Sequence, residues 1–194
     1  MSLIDFDKIN AIDPAQFRAA HPYPWMGIEG ALTDEGFEQL YASLPDVSRF
    51  TASFGRERNY GQQSHDRYLL EYERDLDLPA PWTQFISELE GARYRKWLTG
   101  MLGTSQYLLS YHWHYAPNGC SVSPHCDSRR KLGSHIFYFS PEEDWKAEWG
   151  GQTLSMGREE DGWVGADGTF HWMSGPQAEM WTVRSFGDGE RPRS

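Results

Sequence analysis

The chain has 194 residues, of which 39% are hydrophobic, and a formal net charge of −10; that suffices for one domain with its own core and gives neither nucleic acid nor an anionic membrane a basic tract to attract. No apolar run approaches the roughly 18 residues of a membrane span, and the opening MSLIDFDKIN lacks the basic-then-apolar order of a signal peptide, so a soluble, cytoplasmic protein with no nucleic-acid or membrane partner is expected. Cys120 and Cys126 offer neither a disulfide framework nor a CxxC zinc half-site and are read as reduced thiols.

In chain order, the first predicted element is a short helix after Asp13-Pro14, with an N-cap acid, proline at the first helical position and an end before His21-Pro22. Thr33 caps the next, whose stripe is Phe37, Leu40, Tyr41 and Leu44 before Pro45. A third, longer helix is predicted from about Pro81 to Leu102, where Trp82, Phe85, Ile86 and Leu89 keep helical spacing, Trp97, Leu98 and Met101 extend it, and Gly103 stops it. After Gly103 the pattern changes to short β-rich runs: Gln106–Tyr115, Ser121–Asp127, Ser134–Phe139 and Gln152–Met156, with Pro117-Asn118-Gly119 as a turn. The expectation is one α+β domain over 1–194. Residues 1–103 would form a mainly helical cover on one face of a β-sandwich or jelly-roll core, a double-stranded β-helix, built by 104–194.

Ser123-Pro124-His125-Cys126-Asp127 carries the chemistry. Alternate side chains of a strand share a face, so His125 and Asp127 project together while Val122, Pro124 and Cys126 face the other way. An imidazole and a carboxylate suit a divalent ion of middling hardness. A second imidazole from a later strand would complete a two-His-one-carboxylate triad, which leaves coordination positions open and is the arrangement Fe(II) uses.

The segments around this motif resemble a known family over most of the chain. His21-Pro22-Tyr23-Pro24-Trp25-Met26 and Gly30-Ala31-Leu32-Thr33-Asp34-Glu35 are followed by Tyr115-Ala116-Pro117-Asn118-Gly119, His125-Cys126-Asp127 and Arg130-Lys131-Leu132. Ile136-Phe137-Tyr138-Phe139-Ser140-Pro141 and Trp149-Gly150-Gly151-Gln152-Thr153-Leu154 complete the series. In order and spacing these resemble the prolyl-hydroxylase-like 2-oxoglutarate and Fe(II)-dependent oxygenases. The resemblance implies a double-stranded β-helix, Fe(II) held by His125 and Asp127, and 2-oxoglutarate as co-substrate. It also implies that Tyr115, with Trp113 or Tyr111 on the same strand face, lies near the keto acid. A small molecule or a protein side chain would be the substrate; neither it nor the oligomeric state is implied.

The departure from the family's pattern comes at the end of the chain. The family's distal His sits on a late strand, with a basic residue for the 2-oxoglutarate carboxylate about a dozen residues further on. His171 in Thr169-Phe170-His171-Trp172, with Arg184 beyond it, matches that order, whereas His135 comes too early. Gly157–Gly168 is polar and glycine-rich, however, where another strand should stand, and Asp188–Ser194 reads as an interrupted loop. The sequence therefore favours a chain that stops short of its ligand-bearing strand, with His171 as third ligand the alternative. Two other functions stay open: a non-catalytic jelly-roll binding module with an incomplete triad, and a cupin-type hydrolase or isomerase using Zn or Mn. His112 and His114 alternate with Tyr115 and are expected to point away from the site, and His21 and His65 to be loop residues.

Overall fold

The computed structural model describes residues 1–21, 23–56, 64–117, 120, 131–141, 156–159, 162–165 and 177–182, and for the last three spans the backbone alone. Asp5 opens α1 (Phe6–Asn10) by accepting from the N–H groups of Asp7 and Lys8, and Asp13 opens α2 (Pro14–Arg18) by accepting from Ala15 N–H with Pro14 in the first turn. Thr33 caps α3 (Asp34–Ala42) through a 2.9 Å bond from Gly36 N–H. A 3-10 turn, Val47–Arg49, then leads into β1 (Thr51–Ser53) and β2 (Arg67–Glu71). The mainly helical first half thus also builds two strands, which the sequence pattern did not show.

The long helix predicted over Pro81–Leu102 is two: α4 (Ala80–Glu90) and α5 (Ala92–Leu102). Gly91 stands between them with extended backbone at ψ 156°. Its N–H donates to Glu88 O and Arg95 Nε donates to Glu90 O, so the last carbonyls of α4 find partners at the break. Gly103 ends α5 at φ 72°, a left-handed cap that glycine adopts without a Cβ penalty.

The second half supplies β3 (Tyr111–Ala116), β4 (His135–Tyr138), the hairpin β5 (Met156–Glu159) and β6 (Gly162–Gly165), and β7 (Gln177–Thr182). The strand predicted at Gln106–Tyr115 is therefore shorter, that at Ser134–Phe139 falls on β4, and that at Ser121–Asp127 lies outside the described residues. The segment Gly157–Gly168, read from its sequence as strandless, carries β5 and β6. Glycine and charged residues dilute the apolar alternation there, but pairing Met156 with Gly165 and Glu159 with Gly162 needs only a tight turn.

The main sheet has five strands in the order β1-β2-β3-β7-β4, each neighbouring pair antiparallel. Architecture is thus α+β, with helices against an antiparallel sheet. One sheet face is an aromatic wall: Trp113 meets Trp82 of α4 edge-on at 5.3 Å, Phe137 meets Phe85 at 5.1 Å, and Phe139 meets Trp82 at 5.2 Å. Such pairs are offset by the ring quadrupole and add to the area they bury. Trp82 is fully enclosed and donates its indole N–H to Ser43 O, so α3's last turn and α4 share this core.

The N-terminal segment is locked onto the helices. The Glu88 carboxylate accepts from Leu3 N–H, Ile4 N–H and the Ser2 hydroxyl, while Thr33 N–H donates to Leu3 O and Asp5 N–H to Ala31 O. Gly36 is required at this crossing, because a Cβ there would stand 2.4 Å from Leu3 O. Among the described residues no helix is long and apolar enough to cross a membrane.

Candidate functional site

The pleat of β3 divides the residues singled out by the sequence into two sets. Tyr111, Trp113 and Tyr115 face the helices. Trp113 is 1% exposed against Trp82. Tyr115 stacks on Phe50 at 4.5 Å and donates its hydroxyl to Pro45 O at 2.9 Å, and Tyr111 packs edge-on against Tyr72. Burial raises both phenols, with nearby Asp46 adding to the effect on Tyr115, which is pushed up to about 12. Trp113, Tyr115 and Tyr111, which the resemblance implies lie near a keto acid, pack against Trp82, Phe50 and Tyr72.

His112 and His114 project from the opposite face. Their rings lie 4.6 Å apart, and the register sets His112 across from Glu71 of β2 and His114 across from Leu69 of β2 and Glu179 of β7. His114 is only 9% exposed and His65 only 7%. A half-solvated antiparallel sheet would leave such residues in water; here His114 is buried while Glu71 and Tyr138 of the same face are exposed. Arg67 leads β2 on the same side as His114, with its Nε sealed from solvent. Burial, followed by the neighbouring His112, Arg67, Lys131 and His65, pushes the His114 imidazole down to about 2, so it is neutral at physiological pH. As expected from alternation, His112 and His114 face away from Tyr115, and His65 precedes β2 outside any helix or strand; the burial of His65 and His114 beside one another is what the sequence did not show. The available signal was the His-x-His alternation in Tyr111-His112-Trp113-His114-Tyr115, in which imidazoles occupy one complete strand face.

His135, set aside from the ligand set by its early position, lies on the helix side. Its Nδ1 is 2.8 Å from the Tyr94 hydroxyl and its ring packs against Trp97 and Phe137, an enclosure that lowers it to about 4.

His125, Asp127, His171 and Arg184 lie outside the described residues. Among the described residues no three His, Cys, Asp or Glu side chains are grouped closely enough to hold a metal ion. The donor chemistry of His125, Asp127 and His171, two imidazoles and one carboxylate, is that of an open Fe(II) site. No family model matches the chain, and neither a curated protein nor a solved structure matches it.

Proposed function

We propose that this protein is an Fe(II)- and 2-oxoglutarate-dependent oxygenase on a double-stranded β-helix, with His125, Asp127 and His171 as its ligand set. The observation that carries the reading is the strand order β3-β7-β4. β3 and β4 both run antiparallel to β7 and hence parallel to each other. A jelly roll likewise brings its last strand back between earlier ones. In sequence His125 and Asp127 fall between β3 and β4, and His171 precedes β7, whose first residue Gln177 pairs with Ala116 at the end of β3. With β5 and β6 occupying the stretch that looked strandless, this connectivity favours His171 as third ligand over a missing strand. The burial of His114 on the sheet face away from the helices gives further support.

His125, Asp127 and His171 would hold the metal, and Arg184 would pair with the far carboxylate of 2-oxoglutarate. When bound, Fe(II) supplies the oxygen chemistry that couples conversion of 2-oxoglutarate to succinate with hydroxylation of a C–H bond. The protein's part is to orient the keto acid and exclude water. The test is Fe(II) content and succinate release of the full chain beside His125→Ala, Asp127→Ala and His171→Ala. Stoichiometric iron and succinate release, each lost in all three variants, is the expected result. Unchanged succinate release in His125→Ala would sink the oxygenase reading, and retention of iron by His171→Ala would sink the third ligand alone.

A further inference from the structure

We infer that two copies of this chain pair through their helical layers, the acidic outer face of α3 in one copy meeting the basic outer face of α5 in the other. The inference stands apart from the oxygenase reading. The three longer helices all turn aromatic side chains to the sheet: Phe37 of α3 stacks on Phe139 at 5.9 Å, Phe85 of α4 meets Phe137 at 5.1 Å, and Trp97 of α5 meets His135 at 5.4 Å. His135, Phe137 and Phe139 are alternate positions along β4 and just past its end, so α3, α4 and α5 are laid across it in that order, with α4 touching both neighbours. Their solvent faces therefore form one surface. On it, α3 contributes Asp34, Glu35 and Glu38, all exposed, and has no basic residue. Helix α5 contributes Arg93 and Lys96, both exposed, with half-buried Arg95, and has no acidic residue. Between them α4 exposes the uncharged Thr83, Gln84 and Ser87 and, at its end, Glu90.

Helix stability accounts for one of these charge runs and not for the other. Asp34 and Glu35 complement the positive N-terminal end of α3, but the cations of α5 fall within its first turns, where the dipole opposes them and Gly91 offers no side-chain cap. Among the described residues none of Asp34, Glu38, Arg18, Arg93 and Lys96 has an ion-pair partner. The guanidiniums are anchored instead to uncharged groups. Arg93 lies 4.1 Å above the Phe6 ring of α1, and Arg18 of α2 donates to Gly100 O at 2.7 Å, which brings a third exposed cation to the same flank of α5, two turns on from Arg93. Side chains already held in place lose less freedom on pairing. Arg93 and Lys96 stand about 4.5 Å apart along α5, and Asp34 and Glu38 about 6 Å apart along α3, so neighbouring carboxylates can reach neighbouring cations. A second copy supplies what one chain leaves unmatched, and because both faces flank α4 on one surface, a two-fold axis near α4 engages both pairs at once. The mutual repulsion of two chains of net charge −10 is screened beyond about 8 Å at physiological ionic strength, whereas ion pairs partly enclosed in the contact are screened much less.

The experiment is sedimentation equilibrium of the full chain at physiological ionic strength, beside two double variants, Arg93→Glu with Lys96→Glu and Asp34→Lys with Glu38→Lys. A reversible dimer is expected, weakened at least tenfold in either double variant, since each sets like charges against one another. An equimolar mixture of the two variants should restore a one-to-one dimer of near the original affinity, because one then presents two acidic faces and the other two basic ones. Should either reversal fail to fold, the neutral pairs Arg93→Gln with Lys96→Gln and Asp34→Asn with Glu38→Gln are expected to weaken the dimer several-fold. A chain that stays monomeric, a dimer indifferent to both sets of substitutions, or weakened variants that do not recover on mixing overturns the inference. So does a monomer that binds poly-L-glutamate and loses that binding in Arg93→Glu with Lys96→Glu, which would assign the basic face to an acidic partner of another kind.

Discussion

The two faces of the central sheet are made from the same strands and do opposite work. On the helix side, Trp113, Phe137 and Leu70 are core, and the polar tips of the larger rings are met locally, as Tyr115 is by Pro45 and Tyr94 by His135. On the far side the same strands present His112, His114 and Arg67, with burial comparable at His114 but chemistry that gains little from being buried. Burying apolar rings is worth roughly 25 cal/mol per Å², whereas burying imidazoles and a guanidinium is a cost unless hydrogen bonds offset it. Keeping His114 buried there comes at the expense of stability, and functional sites are where that trade is found.

The sharpest way to break the comparison is to remove one residue from each face. Trp113→Ala should destabilise the fold by about 3–5 kcal/mol, the usual cost of deleting an enclosed aromatic side chain. His114→Gln, of similar reach and able to hydrogen-bond, should cost under about 1.5 kcal/mol. Urea unfolding of the two variants measures both. Equal losses would mean that the far face is as much a packing surface as the near one.

Acid provides the next test. His114 and His135 are both held neutral, with pKa values pushed down to about 2 and about 4 from an ordinary 6.5. For His114 the causes are burial followed by the surrounding cations, and for His135 burial. A histidine whose folded pKa is depressed takes up its proton preferentially when unfolded. Its contribution is therefore complete above about pH 6.5 and is lost as pH falls toward the folded value. Unfolding free energy should drop between pH 6.5 and 4 with a slope of up to about 1.4 kcal/mol per pH unit for each imidazole. His135→Phe should flatten the slope by one proton's worth. A pH-independent stability across that window would show that neither ring is held neutral.

Much of the helical layer was legible because its signals are local. Asp13-Pro14, Thr33 and Gly103 each act on backbone groups within one turn, and each stands where the sequence placed it. The break at Gly91 was not legible, since the apolar stripe through Trp82, Phe85 and Leu89 resumes at Trp97 and Leu98 and masks a change of direction that only the backbone of Gly91 reveals. Strands β1 and β2 were missed because their pairing with each other and with β3 is non-local, and three residues at Thr51–Ser53 are too few to show alternation. The site divides in the same way. That Tyr115, Trp113 and Tyr111 share a face was readable from the period of two; which face meets the helices was not, because large rings occupy both faces of this strand and alternation alone does not tell inside from outside.

The Glu88 clamp tests the helical side of the comparison at its periphery. Burial alone would raise this carboxyl, but hydrogen bonds from Gln84, Ile4 N–H, Leu3 N–H and the Ser2 hydroxyl outweigh it and leave the pKa below its usual 4.5. A carboxylate with a depressed folded pKa stabilises above the unfolded value and loses that contribution as pH falls through the folded one. Glu88→Gln should therefore cost about 1 kcal/mol at pH 7, and the difference from the unsubstituted chain should narrow as pH falls below the usual 4.5. Chemical denaturation across that range reads it. A difference that does not narrow on acidification would assign the clamp to shape rather than charge.

The smallest expected effect bears most directly on which face holds the site. Tyr115→Phe keeps the ring stacked on Phe50 and removes only the hydroxyl that donates to Pro45 O. One neutral hydrogen bond contributes about 0.5–1.5 kcal/mol, and a carbonyl left with one partner fewer lies near the upper end of that range only if water cannot reach it. The stability loss should fall there, while affinity for 2-oxoglutarate stays within about twofold of the unsubstituted chain, a change of some 0.4 kcal/mol. The reason is direction: the phenol is pinned toward the 3-10 turn, on the opposite side of the sheet from His114. The reverse pattern, unchanged stability with tenfold weaker 2-oxoglutarate binding, would return Tyr115 to the co-substrate, as its family resemblance implied, and would place the keto acid on the helix-facing side.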